Sequence, residues 1–125
     1  MTILAILFTL STASTGFDFS HLDCEKAFTN PEINECARRD HEVVEAKLNK
    51  SYQDTLAKLT GDADAFEAKK QLVSAQREWI KFRKLDCQAK FTLNRGGTIR
   101  TLVYYDCMDN HANQRIAQLE NWADL

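Results

Sequence analysis

The feature that most constrains this 125-residue chain is a run of large apolar and charged residues, 75–83, that ends four positions before Cys87. Gln76, Trp79, Arg83 and Cys87 are separated by three, four and four positions, which places them on one face of an α-helix. That face combines an aromatic ring, two polar groups and a sulfur, whereas an ordinary core stripe is aliphatic. We therefore expect a long helix that makes polar and covalent contacts with its neighbours.

Apolar residues recur every three or four positions in three segments, which predicts three long helices. The first covers roughly residues 31–60, the second runs from residue 63 or 64 to 91, and the third runs from about 99 to 122. Short polar loops join them, so consecutive helices are antiparallel. The predicted fold is all-α: an antiparallel three-helix bundle in one domain, residues 17–125.

The residue pattern also predicts helix starts and buried faces. Pro31 fits the first turn of the first helix, with Thr29 or Asn30 as its cap, and Thr98 is the expected cap of the third helix. The second helix is predicted to point inward Phe66, Leu72, Val73, Gln76, Trp79, Ile80, Arg83 and Cys87. The apolar side of the third is predicted to carry Leu102, Tyr105, Cys107, Ala112, Ile116 and Leu119.

The first sixteen residues are predicted to be a signal peptide. An apolar run at residues 3–10 is followed by small residues that suit signal peptidase, and the run is too short to anchor the chain in a bilayer. The alternative is a short buried amino-terminal helix. Because His21, Leu22 and Asp23 precede Cys24, no lipidation motif is present there. We expect a periplasmic or secreted protein without a membrane anchor.

Four cysteines behind an export signal predict two disulfides. Three pairings are possible, and we favour Cys24–Cys36 and Cys87–Cys107. Cys87 and Cys107 lie at similar distances from the turn between the second and third helices, so their Cβ atoms can face each other. A zinc site is the alternative, but the chain has no C-x-x-C pair. No metal or cofactor is predicted.

Charge and histidine context argue against two functional classes. The net charge of −2 and the absence of a Lys/Arg-rich run exclude a strongly basic nucleic-acid binder. His41 and Glu42 begin a zinc-protease-like pattern, but Glu45 stands where the second histidine is required, which favours a solvated helix face. His21 and His111 show no nucleophile–base spacing either, so we predict that the protein is not an enzyme.

Polar residues on the helix faces are predicted to tie the bundle together. Arg83 either faces a ligand or, as we favour, pairs with a carboxylate of another helix, the candidates being Asp40, Glu45, Asp106 and Asp109. Gln76 is expected to contact Asn49, or Asn49 to bind backbone, and Arg115 to bind a carboxylate or a loop. The structural residues predicted are Asn49, Tyr52, Gln76, Trp79, Arg83 and Arg115, with Tyr52 and Trp79 in the core.

The loop between the second and third helices is the candidate binding surface. It consists of Asn94, Arg95, Gly96, Gly97 and Thr98. A disulfide between the flanking helices would hold it rigid, and a rigid loop makes an effective contact surface. The alternative is a simple connector whose glycines end a helix.

Several short elements of this chain resemble those of a known family. They are the run 75–83, Asn34 with Cys36-Ala37, Leu48-Asn49 with Tyr52, Gly96-Gly97-Thr98, and Cys107 with Arg115 and Leu119. Together, over roughly residues 24–120, they resemble the bacterial envelope family named for the LprI-type lysozyme inhibitor. The resemblance implies an exported helical binding protein whose partner is lysozyme or another envelope-targeting enzyme.

Two functions are compatible with these features. The first is a lysozyme inhibitor, for which carboxylates would steer the encounter with a basic enzyme. The candidate carboxylates are Asp18, Asp23, Glu25, Glu32, Glu35, Asp62, Asp64 and Glu67. The second is a periplasmic envelope-stress or immunity module that binds another protein and has no effect on lysozyme.

Overall fold

The computed structural model of the protein describes residues 16–122. Within them, α1 spans Asn30–Lys58, α2 spans Ala63–Leu93 and α3 spans Arg100–Glu120, preceded by a short 3-10 helix at Cys24–Lys26. No strand occurs in this described range. The predicted all-α three-helix fold is confirmed, and each helix end lies within two residues of its predicted position. The predicted signal peptide, apart from Gly16, lies outside the described residues.

Helix α3 packs against both other helices. Its contacts with α1 advance in the same direction along both helices, since His41 meets Asp109 and Thr55, further along α1, meets Leu119, further along α3. The two helices are therefore parallel. Helix α2 runs antiparallel to both, because the chain reverses direction before and after it.

The starts of α1 and α2 are fixed by side-chain caps. Thr29 and Glu32 form a reciprocal capping box, with Pro31 in the first turn of α1. The Asp62 carboxylate accepts a hydrogen bond from a backbone N–H in the first turn of α2. Gly61 precedes it with φ of 113°, a conformation that glycine adopts without strain. The prediction that Thr29 or Asn30 caps α1 is thus confirmed for Thr29.

The start of α3 differs from the prediction. Thr98 is not its cap: Ile99 occupies the boundary, and no side chain caps the first turn. After Asn94 ends α2, the chain continues in turns to residue 99, so the first helical hydrogen bond of α3 runs from the Val103 N–H to the Ile99 carbonyl. Thr98 could cap α3 only if the helix began one residue earlier, with Thr98 in place of Ile99 at the boundary.

Two buried clusters form the core. The larger contains Leu48, Leu72, Ala112 and Leu119, and half-buried side chains surround it: Val44, Tyr52, Leu56, Leu59, Trp79 and Ile116. The smaller contains Cys87, Cys107 and Met108 against Tyr104. Tyr52 and Trp79 therefore border the core as predicted, whereas Met108 was not on the predicted apolar side of α3.

The predicted inward face of α2 is wrong at two positions. Leu72, Gln76, Arg83 and Cys87 are buried, but Phe66 is 66% exposed and Ile80 is 47% exposed. Arg115 meets Gln76 and α3 ends at Glu120, so the part of α2 that carries Phe66 extends beyond α3. Ile80 lies within the covered length but on the stripe next to the buried residues. Apolar spacing alone does not show which of two neighbouring stripes a shorter helix covers.

Candidate functional site

The candidate binding surface lies at one end of the bundle. Because α1 and α3 are parallel and α2 is antiparallel to them, the 94–98 loop shares this end with the start of α1 and with the segment before it. We term the 94–98 loop together with residues 16–32, which include the first turn of α1, the loop end. The turn at residues 59–62 lies at the opposite end.

A disulfide braces the two helices that support the loop. Cys87 and Cys107 form a bond of 2.05 Å across α2 and α3, with their Cα atoms 5.6 Å apart, and both residues are buried. The predicted pairing is confirmed. The bond fixes the spacing of the two helices about two turns from the loop, so that the loop is presented on a rigid support.

Hydrogen bonds within the loop hold its backbone in tight turns. The Asn94 side chain donates to the Lys90 carbonyl at 2.8 Å, and the Gly97 N–H donates to the Asn94 carbonyl at 2.9 Å. The Arg100 guanidinium donates to the Arg95 carbonyl at 3.1 Å. The Arg95 side chain is exposed and forms no ion pair among residues 16–122. The loop thus presents one free cation on a well-connected backbone.

Two large apolar side chains flank this cation. Leu93, the last residue of α2, is 87% exposed, and Ile99 is half exposed. The Arg100 guanidinium lies 5.7 Å from the Phe91 ring centroid, which holds a second cation beside them. An exposed mixture of apolar and cationic groups on a rigid support is typical of a protein-binding surface.

The segment before α1 is fastened to the same end. The Cys24–Cys36 disulfide, with an S–S distance of 2.04 Å, ties it to α1 and confirms the second predicted pairing. Arg39 donates to the Phe19 carbonyl at 2.7 Å. Phe19 also lines a small cavity with Thr101 in the first turn of α3, which places this segment beside the supported loop.

Two carboxylates of the loop end are held in the ionised form. The pKa of Asp18 is lowered because its carboxylate accepts a hydrogen bond from the Ser20 N–H. The pKa of Glu32 is lowered by hydrogen bonds from the backbone N–H groups of Thr29 and Phe28. Hydrogen bonds from neutral donors stabilise the charged form without cancelling its charge.

Other predicted carboxylates are neutralised by neighbours. Hydrogen bonds from Arg38 and then Arg39 lower the pKa of Glu35 to about 2, and those two cations offset its charge. Asp23 pairs with Lys26 at 3.6 Å. Asp62, Asp64 and Glu67 lie at the opposite end, near the start of α2. At the loop end, the carboxylates without an ion pair among the described residues are Asp18, Glu25 and Glu32.

The α2 face that carries Gln76, Trp79 and Arg83 forms the polar interior of the bundle. Arg83 pairs with Glu45 through both of its terminal nitrogens, and its guanidinium lies 4.7 Å from the Trp79 ring centroid. Glu45 was one of four candidate partners. Arg115 donates to the Gln76 side-chain oxygen at 2.8 Å, and burial lowers the pKa of Arg115. These contacts join α2 to α1 and α3 and therefore fix the register of the helices.

The predicted contact between Gln76 and Asn49 is wrong. Asn49 is exposed on α1, whereas Gln76 is buried and meets Arg115. Asn49 follows the buried Leu48 by one position, and one residue turns the side chain by about 100°, away from the neighbouring helices. The expectation that Arg115 binds a carboxylate or a loop is wrong too, because Arg115 donates to the side-chain amide oxygen of Gln76.

Two histidine–aspartate pairs connect the helices, and sequence spacing gave no signal for them. His41 contacts Asp109 across α1 and α3, and His111 contacts Asp86 at 2.7 Å across α2 and α3. His41 also lies 3.9 Å from Glu45, one turn further along α1. The expectation of a solvated helix face is therefore wrong at His41, whose side chain is 15% exposed and is part of an interhelical contact.

Asp86, Cys87, Cys107 and His111 bring their potential ligand atoms within 4.8 Å of one another. The two sulfurs are bonded to each other, however, and a metal ligand requires a thiolate. The cluster therefore presents a histidine–aspartate contact beside a disulfide. Among the described residues, every cysteine is in a disulfide.

The fold and the site define a class: small all-α domains in which two disulfides brace a three-helix bundle and its terminal loop. The chain belongs to the family described as Lysozyme inhibitor LprI, which matches residues 24–119. It is also 33% identical over 106 residues to an uncharacterized protein of Rhizobium meliloti (strain 1021), covering 78% of this chain and 76% of that protein. No solved structure matches the chain. None of the helices within residues 16–122 has the length and apolar character needed to cross a membrane.

Proposed function

We propose that this chain is an exported inhibitor of lysozyme and that it contacts the enzyme through the loop end. Membership of the LprI family over residues 24–119 is the observation that supports the activity. Two disulfides support a periplasmic or secreted location, because such bonds persist in oxidising compartments. The loop end is chosen because it combines rigid support with exposed apolar groups and charges of both signs.

The proposed mode of binding uses the two signs of charge differently. Asp18, Glu25 and Glu32 attract the basic surface of an animal-type lysozyme and raise the rate of encounter. Arg95 then pairs with a carboxylate in the lysozyme cleft, where a pair of carboxylates performs glycoside hydrolysis. Leu93 buries apolar surface beside this pair. Inhibition follows because the loop occupies the space that the polysaccharide needs, and it requires no chemistry by this protein.

Reversing the charge of Arg95 tests this surface. The Arg95→Glu variant is expected to bind hen-type lysozyme about 30-fold more weakly, the loss of a central interface contact worth about 2 kcal/mol. The measurement is the Kd for immobilised lysozyme by surface plasmon resonance. Lys47→Glu is the matched control, because Lys47 is exposed on α1 and has no ion pair among the described residues.

The Lys47→Glu control distinguishes the loss of a direct contact at Arg95 from the effect of the change in net charge. Both variants lower the net charge of the chain by two units, so bulk attraction to a basic enzyme would strengthen binding equally in both. The proposal requires weaker binding for Arg95→Glu and equal or tighter binding for Lys47→Glu. Unchanged or tighter binding for Arg95→Glu would place the contact elsewhere. If the native protein binds no lysozyme, the envelope-stress or immunity function becomes the better hypothesis.

A further inference from the structure

A second surface lies at the end of the bundle opposite the loop end. A groove of about 700 Å³ runs between the turn after α1 and the first half of α2. Leu59, Phe66 and Val73 form its apolar part, and Lys69 and Arg77 stand along it. We term these five residues the α2 groove. The 31 residues of α2 span about 45 Å, so the groove and the 94–98 loop are far enough apart to be occupied at the same time.

The apolar row of the groove continues beyond the cavity. Phe66, Val73 and Ile80 are seven positions apart, which places them in nearly one line along the helix over about 21 Å. Phe66 is 66% exposed and Ile80 is 47% exposed. The row is therefore a helix face that lacks a partner within residues 16–122.

Positive charges lie in the same stripe. Lys69 and Arg77 follow Phe66 by three and eleven positions, and neither forms an ion pair among the described residues. Lys70 and Lys81 lie nearby, but each is paired within its own helix turn, with Glu67 and Glu78. An apolar row with two uncompensated cations is complementary to a ligand that carries both apolar groups and carboxylates.

We propose that the α2 groove binds an amphipathic segment of a partner protein whose apolar side chains repeat over about 20 Å and whose flanks carry carboxylates. Lys69 and Arg77 disfavour a basic lysozyme surface within the groove, so this partner is distinct from the one proposed for the loop end. An anionic membrane is a poorer fit, because the flat surface of a bilayer cannot enter the groove between the turn after α1 and the first half of α2.

Peptides of defined charge test the proposal. The probes are two fluorescent helical peptides with the same heptad-spaced Leu residues, one with Glu and one with Lys at the flanking positions. The native protein is expected to bind the Glu peptide at least 10-fold more tightly than the Lys peptide by fluorescence anisotropy. The Lys69→Glu/Arg77→Glu variant is expected to reverse that preference, and Val73→Asp is expected to weaken binding of both peptides.

Controls make each outcome decisive. Lys47→Glu/Lys90→Glu makes the same change in net charge outside the groove and should keep the native preference, and circular dichroism verifies the fold of every variant. Equal affinity for the two peptides, or no binding of either, would overturn the proposal. Binding of the protein to vesicles of anionic phospholipid, without binding of either peptide, would also overturn the proposal. The same holds for self-association that Val73→Asp abolishes. Because the groove variants leave Arg95 intact, they should retain lysozyme binding, and failure of one proposal leaves the other testable.

Discussion

Replacing Glu45 by Ala is expected to lower the free energy of unfolding by about 3 kcal/mol, more than replacing its partner Arg83 by Met, which should cost about 1 kcal/mol. The asymmetry follows from burial. The Arg83 side chain is 6% exposed and that of Glu45 is 28% exposed. Removal of Glu45 leaves a charged guanidinium in the interior without its bidentate partner. Removal of Arg83 leaves a carboxylate that reaches water and lies near His41.

Urea unfolding at pH 7, followed by circular dichroism, gives the two free energies under identical conditions. Glu45→Gln keeps the size of the side chain while removing its charge, and should lie between the native protein and Glu45→Ala. A double variant, Arg83→Met/Glu45→Leu, should recover most of the lost stability, because no buried charge remains. If Arg83→Met costs as much as Glu45→Ala, the packing of the Arg83 stem and its contact with Trp79 contribute more than the ion pair.

Opening the Cys87–Cys107 disulfide is expected to be the other large effect. Its two cysteines are 20 positions apart, and a cross-link of that span stabilises by about 3 kcal/mol through restriction of the unfolded chain. The Cys87→Ala/Cys107→Ala variant should lose about that much, and its thermal midpoint should fall by more than 10 °C. The 94–98 loop should also lose rigidity, which hydrogen exchange of its amides would detect.

The second disulfide provides a matched comparison. Cys24→Ala/Cys36→Ala is expected to lower the free energy of unfolding by less than about 1 kcal/mol. Cys24 is exposed, and apart from the disulfide the segment before α1 is held mainly by hydrogen bonds from Arg39 to the Phe19 and Leu22 carbonyls, so opening this bond loosens the segment in the native state as well as in the unfolded state. Calorimetry of both double variants checks the order. An equal or larger loss for the Cys24–Cys36 pair would show that the lead-in segment is integral to the core.

Local signals in the sequence were sufficient for the helices and the disulfides. The cap at Thr29 or Asn30, the approximate helix boundaries and the matched distances of Cys87 and Cys107 from their turn depend on short segments, and each was predicted correctly. These features depend on neighbours in the chain rather than on the packing of distant helices. The loop at residues 94–98 was located for the same reason.

Contacts between helices were less predictable. Which carboxylate meets Arg83, and whether Gln76 meets Asn49 or Arg115, depend on the rotation of each helix about its axis, and periodicity fixes that rotation only roughly. The exposure of Phe66 depends on the shorter length of α3. The charge at the loop end also required the structure, since ion pairs within α1 remove Glu35 from the free carboxylates. One available signal was overlooked: apolar residues every seven positions in α2 with unpaired cations between them indicate a second surface.

The central claim, that this member of the LprI family inhibits lysozyme, is tested most directly by lysis of a bacterial cell suspension. Oxidised protein comprising residues 17–125 is added at increasing concentration to a panel of lysozymes, and the loss of turbidity is followed. We predict saturable inhibition of at least one animal-type lysozyme at a molar ratio near one to one. Full lysis at a large molar excess of protein, with helical circular dichroism and both disulfides intact, would contradict the claim.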